Sequence, residues 1–161
     1  MGVYKPAAVC KRGHALTRNV EWESEIAERC ATCGAKVLTG CPTCGQRIRG
    51  DYDVPGVAAI GFGYDPPSFC DRCGSAFPWV GRKERIYELQ NRLDEEDFDP
   101  ATELELREAL EALAEGGLDE KTERQRWERV KRLAPGFWEN SSVRSVLESV
   151  VSAAVKSHLG L

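Results

Sequence analysis

Along the 161-residue chain the apolar positions change rhythm once, near Trp79-Val80. Beyond that point they recur every three or four residues, the spacing that gathers side chains on one face of a helix. Arg82–Leu93 sets Ile86, Leu89, Gln90 and Leu93 on one side, and the acidic run Asp94-Glu95-Glu96-Asp97 with Asp99-Pro100 closes it. Thr102–Glu115 repeats Leu106, Ala109, Leu110 and Leu113 before the stop Gly116-Gly117. Asp119 is the expected N-cap of a third helix ending near Ala134-Pro135, with Trp127, Val130, Leu133 and Ala134 inward. A fourth starts at Ser141 or Ser142 and carries a wide stripe through Val143, Val146, Leu147, Val150, Val151, Ala154, Val155 and Leu159. The pattern predicts a helical domain of about four helices over residues 81–161.

Residues 1–80 have no comparable rhythm. Short β segments are expected at Ala35–Thr39, Gln46–Tyr52 and Val57–Tyr64, with a turn at Val54-Pro55-Gly56. Ten of the fifteen glycines and six of the eight prolines lie here, a loop-rich composition with too little apolar periodicity for a self-sufficient core. Something other than apolar burial has to hold this part together.

The cysteines supply it. All seven lie before residue 81: Cys30-x2-Cys33, Cys41-x2-Cys44 and Cys70-x2-Cys73 form three tight pairs, each followed by glycine, and Cys10 stands four residues before His14. Alone, Cys10 and His14 read as a spare thiol and a surface imidazole. Beside six paired cysteines they complete a set of eight donors, enough for two tetrahedral sites of the kind zinc occupies. An iron–sulfur cluster wants four cysteines, which the histidine-containing set does not offer. The spacing favours sequential sharing: Cys10, His14, Cys30 and Cys33 on one Zn2+, and Cys41, Cys44, Cys70 and Cys73 on the other. Crossed sharing, as in RING-type domains, is the alternative. The expected architecture is therefore α+β: a small zinc-stabilised β-rich domain of two tandem zinc ribbons over 1–80, then an α-helical bundle over 81–161.

The strings Val9–His14, Cys30–Lys36, Cys41–Cys44, Ile48–Tyr52, Val54–Gly56, Pro66–Gly74 and Pro78-Trp79 also include positions that are not donors. Together they resemble a family of small bacterial proteins of unknown function carrying a double zinc ribbon. The resemblance covers roughly residues 5–80 and implies zinc and a bacterial source, with no established activity. The helical half is similar only as a succession of helices.

Charge narrows the function classes. The formal net charge is -4, divided as nine Lys+Arg against eight Asp+Glu in residues 1–80, and thirteen against eighteen in 81–161. A nucleic-acid-binding domain usually shows a basic excess, and neither half does. No apolar run reaches the roughly 20 residues of a membrane span and the start lacks the apolar core of a secretion signal, so a cytoplasmic, membrane-free protein is expected. Eight donors for two ions leave no open coordination position, and there is no H-E-x-x-H or P-loop; the expectation is a protein that is not an enzyme. A protein partner is the favoured reading, as for an adaptor module. The alternatives are a nucleic-acid binder and, with crossed zinc sharing, a RING-like recruitment module. Arg47, Arg49, Tyr52, Phe62 and Tyr64 are the candidate partner-binding residues, since arginine and aromatics suit both protein interfaces and nucleobases. Residues 142–159, the last helix, are the candidate surface for homo-oligomerisation.

Overall fold

The chain is described from a computed structural model for residues 1–58, 60 and 63–161. It divides into two compact units, Met1–Val80 and Gly81–Leu161.

Strands in the first unit exist because distant segments pair. Val3–Pro6 (β1) runs antiparallel to Arg49–Asp53 (β5), with Tyr4 opposite Tyr52 and Pro6 opposite Arg49. Ala8–Cys10 (β2) is the centre of a second sheet, flanked by Ala15–Thr17 (β3) and Val37–Leu38 (β4). Within it Cys10 lies opposite Val37. A 3-10 turn at Val20–Trp22 is capped by the buried Asn19, whose Oδ1 accepts the Glu21 N–H at 2.9 Å. The core of this unit is small: Ala7, Val9, Ile48 and Phe77 pack with Cys41 and Cys70. Trp79 stacks on Phe77 with ring centroids 4.6 Å apart and donates its Nε1–H to the Pro67 carbonyl.

Three strands, β1 to β3, lie where no strand was expected. Of the expected segments, 35–39 shrinks to β4, and 46–52 begins only at Arg49, since Arg47 makes no more than an isolated bridge to Gly40. Val57–Tyr64 is not a strand at any described position; Ala59, Gly61 and Phe62 lie outside the described residues. The physical reason is pairing: β5 takes its partner from the amino terminus, β1, and not from the segment that follows it.

The second unit has six helices among its described residues, Arg82–Leu93 (α1), Pro100–Glu115 (α2), Glu120–Leu133 (α3), Pro135–Glu139 (α4), Ser141–Val150 (α5) and Ala153–Leu159 (α6), where about four were expected. Two additions have local causes. Pro135 cannot continue α3 but is well suited to the first turn of a new helix, which inserts Phe137 and Trp138 into the core. Val151 adopts an extended backbone, so the predicted last helix breaks there, and Ala154 is consequently exposed. Asp99 and Asp119 cap α2 and α3 by accepting the N–H groups of Thr102 and Thr122. One core joins all six helices, built around fully buried Ile86, Leu89, Leu106, Leu110, Leu113, Trp127 and Leu147. Trp127 meets Trp138 edge to face at 6.4 Å.

Arg82, the first residue of α1, reaches across this unit. Its Nε donates to the Val150 carbonyl at 2.8 Å, Nη1 to the Leu113 carbonyl at 2.9 Å, and Nη2 to Glu123 at 3.1 Å. A cation is unfavourable at the start of its own helix, but here it also sits at the carboxy-terminal ends of α2 and α5, whose last carbonyls lack helical partners.

Candidate metal centres

The three C-x2-C-G segments fold into the same turn. In each, the first cysteine's N–H donates to the carbonyl five residues on (Ala35, Gln46 and Ser75), and its own carbonyl accepts from the glycine N–H four residues on. That closure requires a left-handed residue, and Gly34, Gly45 and Gly74 supply it at φ +71, +76 and +70. Bridges Arg29–Lys36, Gly40–Arg47 and Phe69–Ala76 zip the base of each turn. The Cys10–His14 turn, first in the chain, is tighter: Cys10 N–H donates to the His14 carbonyl and Gly13, at φ +90, donates to the Cys10 carbonyl.

Sheet pairing then brings turns together two at a time. Cys10 opposite Val37, with the Lys11 N–H bonded to the Lys36 carbonyl, sets the first turn against the second. Contact of Ile48, Phe77, Cys41 and Cys70 in the core sets the third against the fourth. The result is two groups of four donors, Cys10, His14, Cys30, Cys33 and Cys41, Cys44, Cys70, Cys73, with all donor atoms of a group within 4.8 Å of one another. The grouping is sequential. Cys10 and His14 do not lie with Cys41 and Cys44, so the crossed arrangement on which the RING-like alternative depends is not the one this chain adopts.

The distances suit an ion at the centre of each group. Tetrahedral ligands bound at about 2.3 Å through sulfur and 2.0–2.1 Å through nitrogen stand about 3.8 Å apart, sulfur to sulfur, and about 3.5 Å, sulfur to nitrogen. Here Cys10–Cys33, Cys41–Cys73 and Cys44–Cys70 sulfurs are 3.7, 3.8 and 3.6 Å apart, and His14 Nδ1 is 3.3–3.8 Å from the sulfurs of Cys33, Cys10 and Cys30. A disulfide needs about 2.05 Å, and all seven cysteines are free.

Backbone amides prepare the sulfurs for charge. Burial works against the Cys30 thiolate, but the N–H groups of Thr32 and Cys33 and the adjoining thiols bring it down to about 6. Burial likewise opposes Cys73, which bonds to Ser75 hold at about 7. Burial dominates at Cys41 and pushes it up to about 12. The Ala35 and Gln46 amides favour thiolates at Cys33 and Cys44, but burial and crowding by neighbouring sulfurs outweigh them, and both are raised. Cys30 and Cys73 thus favour the thiolate, while Cys33, Cys41 and Cys44 resist it until a cation shares the site.

The candidate partner-binding residues are only partly assembled. Arg47 and Arg49 are exposed and line one cavity beside the third turn, Cys41–Gly45. Tyr52 packs against Tyr4 on the β1–β5 sheet, with centroids 4.8 Å apart. Tyr64 is half-buried and donates its hydroxyl to the Arg49 carbonyl at 2.7 Å; burial pushes its phenol up to about 12. It braces β5. Phe62 lies outside the described residues. Sequence reasoning missed Tyr4 and Arg72, both of which line the same cavity. Arg72 was hidden because residues inside a C-x2-C turn read as spacers.

Fold and donor sets together define a small α+β protein with two cysteine-rich groups shaped to take metal ions. The chain belongs to a bacterial family described as an uncharacterized protein conserved in bacteria (DUF2321), which matches residues 3–159. The match spans both units, so the helical half shares the family pattern as well as the cysteine-bearing half. No curated protein and no solved structure matches the chain. No helix among the described residues is long and apolar enough to cross a membrane.

Proposed function

We propose that the chain is a non-enzymatic zinc protein, in which two structural Zn2+ ions hold the amino-terminal unit as a rigid recognition module. The observation that carries this reading is closure. Each site has four protein donors at tetrahedral separations, and a catalytic zinc needs one position left for water or substrate. One histidine with three cysteines favours zinc over an iron–sulfur cluster at the first site, and the shared turn geometry extends that choice to the second. The β-sheets and turns present side chains on a frame that the ions make stiff, while the helical unit supplies a conventional apolar core of its own.

The test is spectroscopic. Protein refolded with cobalt in place of zinc takes up two ions, with the absorption of tetrahedral thiolate sites, and added azide leaves the spectrum unchanged. His14→Ala removes or loosens one ion and leaves the other. A cobalt spectrum that shifts with azide reveals an open coordination position and overturns the non-enzymatic reading.

A further inference from the structure

The cavity beside the second metal group has a predominantly cationic charged lining. It measures about 450 Å³, within the usual range for small-molecule sites, and its charged lining is Lys5, Arg47, Arg49 and Arg72 against the single carboxylate of Asp71. On the helical unit several arginines are neutralised: Arg92 pairs with Glu88, Arg107 with Glu103, and Arg129 with Glu105. Lys5 is likewise occupied, by Glu21 at 2.8 Å. Arg47 and Arg72 pair with no carboxylate among the described residues. Arg49 instead lies over the Tyr4 ring, 4.8 Å from its centroid, which holds the guanidinium at the cavity edge. Tyr4 continues to Tyr52, and both rings are about half exposed.

We infer that this cavity binds a nucleotide, either free or as one unit of a single strand, with its phosphate among Arg47, Arg49 and Arg72 and its base against Tyr4 or Tyr52. Guanidinium groups match phosphate oxygens in pairs, and an exposed aromatic ring offers a face to any base. An acidic peptide would satisfy the cations but make no use of the exposed halves of the two rings. The chain's overall acidity does not oppose a local site, because the attraction falls off within about 8–10 Å in physiological salt. The inference rests on the structural-zinc reading, since Arg72 lies inside one of the proposed metal-binding turns and Arg47 at the base of another.

The experiment uses full-length, zinc-loaded protein with two probes: a fluorescein-labelled oligo(dT) of about ten nucleotides, within the site sizes of single-strand binders, followed by anisotropy, and ATP, followed by calorimetry. Zinc content is measured on every sample. Saturable binding of either probe, weakening as salt rises, is expected. The double variant Arg47→Ala/Arg72→Ala weakens it at least about tenfold. Arg49→Ala, on β5 and outside the turns, weakens it too and keeps both zinc ions. Preference for the oligonucleotide assigns a strand, and preference for ATP a free nucleotide. The inference is overturned if neither probe binds protein holding two zinc ions, if Arg49→Ala binds as tightly as the parent, or if a polyglutamate peptide binds in their place. A protein that holds fewer than two zinc ions contradicts the structural reading instead.

Discussion

Arg82 offers the sharpest test of how the helical unit is held together. Replacing it with alanine removes three hydrogen bonds at once and leaves the carbonyls of Leu113 and Val150 facing a gap next to Gly116 and Leu118. Two bonds from a charged donor to helix-end carbonyls contribute about 1–1.5 kcal/mol each, toward the low end because the side chain is 38% exposed, and the Glu123 pair adds about 0.5–1 kcal/mol. The expected loss is about 3 kcal/mol, a fall of about 10–20 °C in Tm for a unit of this size. Arg82→Lys keeps the charge but reaches one acceptor at a time, so it recovers about a third of the loss. Far-UV circular dichroism isolates the effect, because α1 to α6 lie in residues 81–161. A change under about 0.5 kcal/mol, no larger than an ordinary surface substitution, would show that the three bonds are only decorative.

Other outcomes follow from single residues. A Cβ at Gly50 stands 2.1 Å from the Arg18 carbonyl and 2.7 Å from that of Lys5, so Gly50→Ala forces backbone apart and costs at least about 1–3 kcal/mol, read as weaker zinc retention and earlier unfolding of the first unit. Gly136, with nothing within 4 Å of its added Cβ, lies within α4; Gly136→Ala raises stability by about 0.5–1 kcal/mol in denaturant unfolding. Asp99 and Asp119 are held below the ordinary carboxylate range by their bonds to Thr102 and Thr122. Their folded values are depressed, so the stability they confer is present above about pH 4 and is lost as pH falls below it. Asp99→Asn/Asp119→Asn, which keeps capping but cannot titrate, flattens that acid limb. Thiols raised at Cys33, Cys41 and Cys44 are protonated without metal at neutral pH. Loading zinc therefore releases protons and affinity falls with acidification; calorimetry giving the same heat in buffers of different ionisation enthalpy would refute this.

What was legible in the sequence follows from how each element is specified. The faces of α1 to α3 show at once, because Leu106, Ala109, Leu110 and Leu113 are periodic and all buried. The donor groups are equally plain, since a C-x2-C-G turn is a local unit that needs only its own cysteines and glycine. Strands β1 to β3 were not legible: each has three or four residues, too few for alternation, and exists because of a partner as far away as Arg49–Asp53. The break at Val151 was hidden too, since the apolar stripe runs through it without a proline or glycine to mark it. Tyr4 becomes a neighbour of Arg47 only through the β1–β5 pairing, and Arg72 only through the core contact of Ile48, Phe77, Cys41 and Cys70.

On the proposed reading, each ion would also join distant parts of the chain. One would join Cys10 to Cys33, 23 positions apart, and the other Cys44 to Cys70, 26 positions apart. Treated as fixed junctions, loops of that size each deprive the disordered chain of freedom equivalent to about 3.5 kcal/mol at 25 °C, about 7 kcal/mol together. That is comparable to the entire stability of an ordinary small domain, and on the proposed reading it would explain how a unit with so slight a core persists. Loop-closure cost rises by only about 0.6 kcal/mol per doubling of length. Length changes between Cys44 and Cys70 are therefore cheap in chain entropy, provided that they spare β5 and its pairing with β1.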